Sequence, residues 1–123
     1  QKQRVAIAGV MAMRPECIVL DEPTASLDFG NQLLVLNSAR ELAREGYTVI
    51  QTTHNPEHSY MFADRILALA GGEVLTEGAP REVLTRDTMR TLYGVEVEIS
   101  SLFDDRVRVC TPMSVARGEN TRA

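Results

Sequence analysis

The apolar positions of this chain change their period several times, and each change predicts an element. Lys2 to Met13 is apolar on most sides, with Ala6, Ala8, Gly9 and Ala12 small enough for close packing; it reads as a buried helix ended by Arg14-Pro15. Met11 and Met13 read as core filler within it. Cys17 to Leu20 is wholly apolar with two β-branched residues, the pattern of a strand covered on both faces in a parallel sheet. From Asn31 to about Glu45 the spacing becomes helical. Leu33, Leu36 and Ala43 lie near one face, Val35, Ala39 and Leu42 on its flank, and Gly46 is the stop. Strand formers return at Thr48-Val49-Ile50. Strand, crossover helix and strand predict a right-handed βαβ unit, which puts both strand ends on one edge of the sheet.

Beyond this unit the elements shorten. Pro56 to Ala63 predicts a short helix with His58 facing solvent. Arg65 to Ala70 and Glu73 to Glu77 flank Gly71-Gly72, a hairpin signal. Pro80 to Tyr93 places Leu84, Met89, Leu92 and Tyr93 at helix-compatible spacing, with Gly94 as the stop. Val95 to Ile99 and Arg106 to Cys110 alternate around Asp104-Asp105, predicting a terminal hairpin. Residues 112–123 are small, polar and charged and are expected to form a disordered tail.

Composition narrows the function classes. A chain of 123 residues with 44% hydrophobic content can build a core, and a net charge of −4 offers no general basic surface for nucleic acid. Cys17 and Cys110 lie far apart, the first in a predicted core strand, and are expected as two thiols rather than a disulfide. No apolar run reaches the roughly 18 residues that a membrane span requires.

The chemistry concentrates at the two strand ends. Asp21 and Glu22 follow the first apolar run directly, at the sheet edge where α/β proteins bind ligands. Mg²⁺ takes oxygen ligands and retains several waters, so one carboxylate plus substrate phosphates suffices; Asp21 is the candidate. Glu22 is the candidate general base for an attacking water. His54 ends the second strand at Gln51-Thr52-Thr53-His54, so the βαβ topology brings it to Glu22.

With these residues in place, Ile18 to Pro23 resembles a Walker B motif with its following glutamate. Ser26-Leu27-Asp28 resembles the D-loop, and Thr53-His54 the switch histidine, of ATP-binding cassette (ABC) ATPases. Gln1 to Ala8 is similar to the end of that family's signature sequence and the helix after it, and the likeness runs on through Ala63-Asp64-Arg65-Ile66 and Gly72 to Gly78 to about Gly94. The resemblance implies an α/β fold: a P-loop NTPase-like sheet of ABC ATPase type, truncated, with a C-terminal helix and β-hairpin. Its implied divisions are 1–94, the C-terminal part of the ATPase domain; 95–111, a hairpin extension; and 112–123, the tail. It implies a dimer of ATPase subunits sandwiching ATP and Mg²⁺. Asp21 would serve the metal, Glu22 would act as base, His54 would meet the γ-phosphate, Gln1 would lie at the nucleotide, and Asp28 would communicate across the dimer. Only Gln1 of the Leu-Ser-Gly-Gly-Gln signature is present, and no Gly-x-x-x-x-Gly-Lys-Ser/Thr loop occurs. The chain is therefore expected to be the C-terminal part of a longer ATPase and inactive alone.

The resemblance further implies transmembrane permease partners, a substrate-binding protein acting indirectly, no nucleic acid, and a peripheral place on the cytoplasmic face of the membrane. Leu27 to Gln32, Thr52 to His58 and Leu92 to Val97 look like importer ATPases for iron chelates, haem or cobalamin. Gln1 to Val10 and Met13-Arg14-Pro15 are similar instead to energy-coupling-factor ATPases for vitamins and metal ions. The first set is longer and sets the expectation. ABC ATPases that act on DNA or the ribosome, and a non-enzymatic dimerisation module, are the alternatives from other classes.

Overall fold

Two parallel strands, β1 (Cys17–Leu20) and β2 (Thr48–Gln51), flank the crossover helix α1 (Phe29–Arg44) in sequence. The computed structural model describes residues 16–118, and the chain divides into two compact units, Gln1–His54 and Asn55–Ala123. Gln1 and the helix expected over 2–13 lie outside the described residues.

In the first unit the register runs from Cys17 opposite Thr48 to Leu20 opposite Gln51. Asp28 starts α1 two residues ahead of the expected Asn31: its Oδ1 accepts the Asn31 N–H at 2.8 Å and satisfies one orphan donor of the first turn. Gly46, at φ 107°, follows the helix end as expected of a stop. Ile18 and Leu20 pack against Val35, Ala39 and Leu42, with Leu27, Tyr47 and Val49 at the margin. The buried stripe of α1 is thus Val35, Leu36, Ala39 and Leu42, centred on the expected flank rather than on Leu33 and Ala43. Coverage of β1 on both faces is not found among the described residues. Burial alternates along it, leaving Cys17 exposed and Val19 66% exposed beside Ile50 at 51%, because α1 shields only the face of Ile18 and Leu20. Among the described residues Cys17 is exposed, and both cysteines are free.

The second unit begins with α2 (Pro56–Phe62), whose N-cap Asn55 accepts the His58 N–H at 3.1 Å. The next strands, β3 (Ile66–Ala70) and β4 (Glu73–Gly78), pair antiparallel across Gly71-Gly72, both at positive φ as a two-residue hairpin turn requires. The helix expected from Pro80 to Tyr93 is two helices, α3 (Pro80–Val83) and α4 (Arg86–Tyr93). Thr85 divides them by capping α4, its Oγ1 accepting the Thr88 N–H at 3.2 Å, and Gly94 ends α4 at φ 67°. Strands β5 (Val97–Leu102) and β6 (Val107–Pro112) form the terminal hairpin, in register from Val97 opposite Pro112 to Leu102 opposite Val107. Tyr60, Leu84, Met89 and Val97 make this unit's core, with Ile66, Ile99 and Cys110 packed on it. The hairpin packs on α2 and α4. A helical turn, α5 (Met113–Ala116), stands within the expected disordered tail and is joined to Glu96, the residue before β5, by the Met113 N–H bond to Glu96 O at 2.9 Å. His58 does not face solvent. It is 8% exposed, on the face of α2 that also buries Tyr60.

One carboxylate holds the hairpin tip. Phe103, Asp104 and Asp105 all have positive φ, a conformation that Asp tolerates better than most residues. Asp105 accepts from Ser101 Oγ at 2.8 Å, Arg108 Nε at 3.1 Å and Arg81 Nη2 at 2.9 Å, while its carbonyl accepts the Tyr60 hydroxyl at 2.9 Å. Arg108 also lies 5.2 Å from the Tyr60 ring centroid, in cation–π range. The Arg108 hydrogen bond first, then that of Ser101, pulls the Asp105 carboxyl down to about 2.

Two stability predictions result. Asp28→Ala should cost about 1 kcal/mol in denaturant unfolding, whereas Asp28→Asn, which keeps a capping oxygen, should cost little. Equal losses in both variants would remove the cap from the account of α1. For Asp105 the folded carboxyl titrates below its unfolded value, so its contribution is full above about pH 4 and is lost as pH falls through about 2. Asp105→Ala should lower Tm at pH 7, and the gap from wild type should close between those pH values. A gap independent of pH would assign the loss to packing.

Candidate active site

The parallel register delivers two chain segments side by side at the carboxyl ends of β1 and β2. Leu20 stands opposite Gln51, and one step further the Thr52 N–H donates to the Leu20 carbonyl at 3.0 Å. Past that point β1 gives Asp21 and Glu22, and β2 gives Thr52, Thr53 and His54.

Adjacent residues of an extended strand point to opposite faces, so two neighbouring carboxylates serve one site only if the chain bends between them. It bends at Glu22, which adopts φ 44°, a left-handed conformation uncommon for a non-glycine residue. The turn closes with the Ala25 N–H bond to Glu22 O at 3.0 Å and is anchored by Pro23, which is fully buried.

His54 Nε2 lies 3.0 Å from Glu22 Oε1. With its proton on Nε2, the imidazole donates to one carboxylate oxygen and leaves the other able to accept from a water. Both side chains are open to solvent, His54 at 85% and Glu22 at 45% exposure, so a substrate can reach them. Asp21 is also exposed and is linked to this pair through Thr52, whose hydroxyl donates to Asp21 Oδ1 at 2.6 Å. The same Thr52 Oγ1 accepts the Glu22 N–H at 2.8 Å.

The donor set at Asp21 suits Mg²⁺ in one respect and limits it in another. No group of three or more His, Cys, Asp or Glu side chains is placed to hold a metal among the described residues. A hard cation at Asp21 would therefore draw its other ligands from water and substrate phosphates, as Mg²⁺ does at phosphoryl-transfer sites.

Asp21, Glu22 and His54 thus come together at one edge of the sheet. Asp28 lies at the start of α1, its carboxylate engaged by the Asn31 N–H. Gln1 lies outside the described residues. Thr52 joins the cluster without having been singled out in the sequence. Its signal is positional, since it is the first residue past Gln51 and so arrives beside the acids that follow Leu20.

No family model matches the chain. Curated relatives do. The energy-coupling factor transporter ATP-binding protein EcfA1 of Clostridium novyi is 46% identical over 98 residues, covering 79% of this chain and 35% of the relative. The hemin import ATP-binding protein HmuV of Rhodococcus jostii is 41% identical over 99 residues, covering 80% of this chain and 34% of the relative. The chain thus spans about a third of the length of these relatives. Among solved structures, an inward-facing ABC transporter of a type assigned to metal chelates matches at TM-score 0.82 and 30% identity, over 91% of this chain and 46% of that one. The cbiO1 protein of Clostridium perfringens, part of the ABC transporter complex cbiONQ, matches at TM-score 0.62 and 36% identity, over 70% of this chain and 35% of that one. The described fold is accordingly the α/β fold of the corresponding part of an ABC ATPase. Over the residues matched, the chain's relatives are ABC transporter ATP-binding proteins.

Proposed function

We propose that this chain carries the hydrolytic residues of an ABC ATPase subunit that couples ATP hydrolysis to import across a membrane. The observation that carries the reading is the 3.0 Å approach of His54 Nε2 to Glu22 Oε1 at paired strand ends, with Asp21 held beside them. In this reading Glu22 accepts the proton of the attacking water. His54 donates its Nε2 proton to the Glu22 carboxylate and, with nucleotide bound, would turn that donor to the terminal phosphate. Asp21 is the protein ligand to Mg²⁺, which when bound offsets phosphate charge in the transition state. Gln1 would lie at the nucleotide, and Asp28 would act at the boundary between two ATPase subunits.

The partners in this reading are a second ATPase subunit and transmembrane permease subunits, with a substrate-binding protein acting through the permease. The subunit would sit peripherally on the cytoplasmic face. Among the described residues no helix is long and apolar enough to cross a membrane. For cargo, the hemin-import relative and the metal-chelate type structure support an iron complex, haem or a cobalamin-like molecule. The 46% identity to an energy-coupling factor ATPase supports a vitamin or metal-ion importer as the second reading.

The test is turnover by the full-length subunit. Glu22→Gln should lower steady-state ATP hydrolysis by roughly 100-fold or more while ATP affinity stays within a few-fold of wild type. Hydrolysis near the wild-type rate would remove Glu22 as the base and end the reading. The 123-residue chain alone should show no turnover, since it has no glycine-rich phosphate loop. Mg²⁺-dependent hydrolysis by that chain, lost in Glu22→Gln, would contradict this.

A further inference from the structure

We infer that Thr52 is a positioning residue for hydrolysis: its single hydroxyl sets the relative orientation of the metal-binding and water-activating carboxylates. The inference rests on the ATPase reading above and adds a residue to it. The Thr52 hydroxyl has one proton, and the structure spends it on Asp21 Oδ1 at 2.6 Å. Its lone pair takes the Glu22 N–H at 2.8 Å. One atom therefore touches the side chain of one acid and the backbone of the next.

Thr52 is itself firmly placed. Its own N–H is bonded to the Leu20 carbonyl at 3.0 Å, so the β1–β2 ladder fixes its backbone. β-branching at Cβ then limits the rotamers open to the hydroxyl. The hydroxyl grips the chain where it departs from the strand, at the left-handed φ of 44° that turns the Glu22 side chain toward His54. A purely structural explanation fits less well. Both hydrogen bonds are exposed, so water would replace them at little cost to stability; what water does not replace is direction. Misplacing either carboxylate by a fraction of an ångström acts on the reaction rather than on the fold.

The experiment compares Thr52→Val, which keeps the shape and deletes the hydroxyl, with Thr52→Ser, which keeps the hydroxyl. Both are made in the full-length subunit, with wild type and Glu22→Gln in the same assay and active sites counted by nucleotide binding. Thr52→Val should lower kcat roughly ten- to hundred-fold with the KM for ATP within about three-fold of wild type. Its half-saturating Mg²⁺ concentration should rise, and Thr52→Ser should recover most of the lost rate. Thr52→Ala should repeat the loss and replaces Thr52→Val if the valine variant does not fold.

A wild-type kcat and Mg²⁺ dependence in Thr52→Val would overturn the inference and leave the ATPase reading standing. Equal losses in Thr52→Ser and Thr52→Val would overturn it too, since the hydroxyl would then not be the active feature. So would a lower Tm in Thr52→Val with unchanged kcat per binding site. Full turnover in Glu22→Gln would overturn the ATPase reading, and the Thr52 role with it.

Discussion

The parallel register of β1 and β2 is the constraint on which the site depends. Leu20 lies opposite Gln51, so the residues that follow each strand leave the sheet together, on the same edge. A slip of one residue would turn Ile18 and Leu20 away from α1. It would also move His54 out of reach of Glu22. The same alignment therefore serves the core and the cluster of Asp21, Glu22 and His54. Val35, Ala39 and Leu42 of α1 hold it by packing against Ile18 and Leu20.

Backbone direction does the rest. In an unbent strand Asp21 and Glu22 would point apart, one toward each face of the sheet. The left-handed turn at Glu22 breaks that alternation, and Thr52 bonds to both residues where it breaks. Conformational strain of order 1–3 kcal/mol at such a residue persists only where its neighbours over-determine it. Buried Pro23 on one side and the Thr52 bond on the other supply that restraint. Energy held in a surface turn is thereby converted into a fixed direction for a carboxylate.

The second unit is organised on a different principle. Its elements are short, and polar links supplement a small apolar core of Tyr60, Leu84, Met89 and Val97. Asp105 accepts from both Arg81 and Arg108, so one side chain ties the hairpin tip to α3 and to its own returning strand. Three consecutive residues at positive φ are tolerable there because Asp105 is held from several directions at once. Burial raises the Cys110 thiol above its ordinary range, with the charge of Glu57 adding to it, and so favours the unreactive protonated form.

Much of the fold was legible because local patterns decide it. Apolar runs marked β1 and β2, Gly71-Gly72 and Asp104-Asp105 marked the turns of two hairpins, and Gly94 marked a helix end. The convergence of Glu22 and His54 was legible too, since strand–helix–strand topology restricts where the ends can go. What the pattern did not decide were choices between locally equivalent options. Val19 suits a buried strand as well as Ile18 does, and only the position of α1 decided which was covered. Thr85 suits a helix or its cap, and its bond to Thr88 settled the matter by splitting one expected helix into two. His58 is polar and was read as exposed, yet packing of α2 buried it. Thr52 was quoted within its stretch but given no role of its own, because its value lies in two bonds to residues 30 and 31 positions earlier. By itself the sequence determined which side chains are candidates for chemistry and which strands bring them forward, because composition and period are local properties. The tertiary structure alone decided how those side chains are aimed, because aim depends on contacts between residues far apart in the chain.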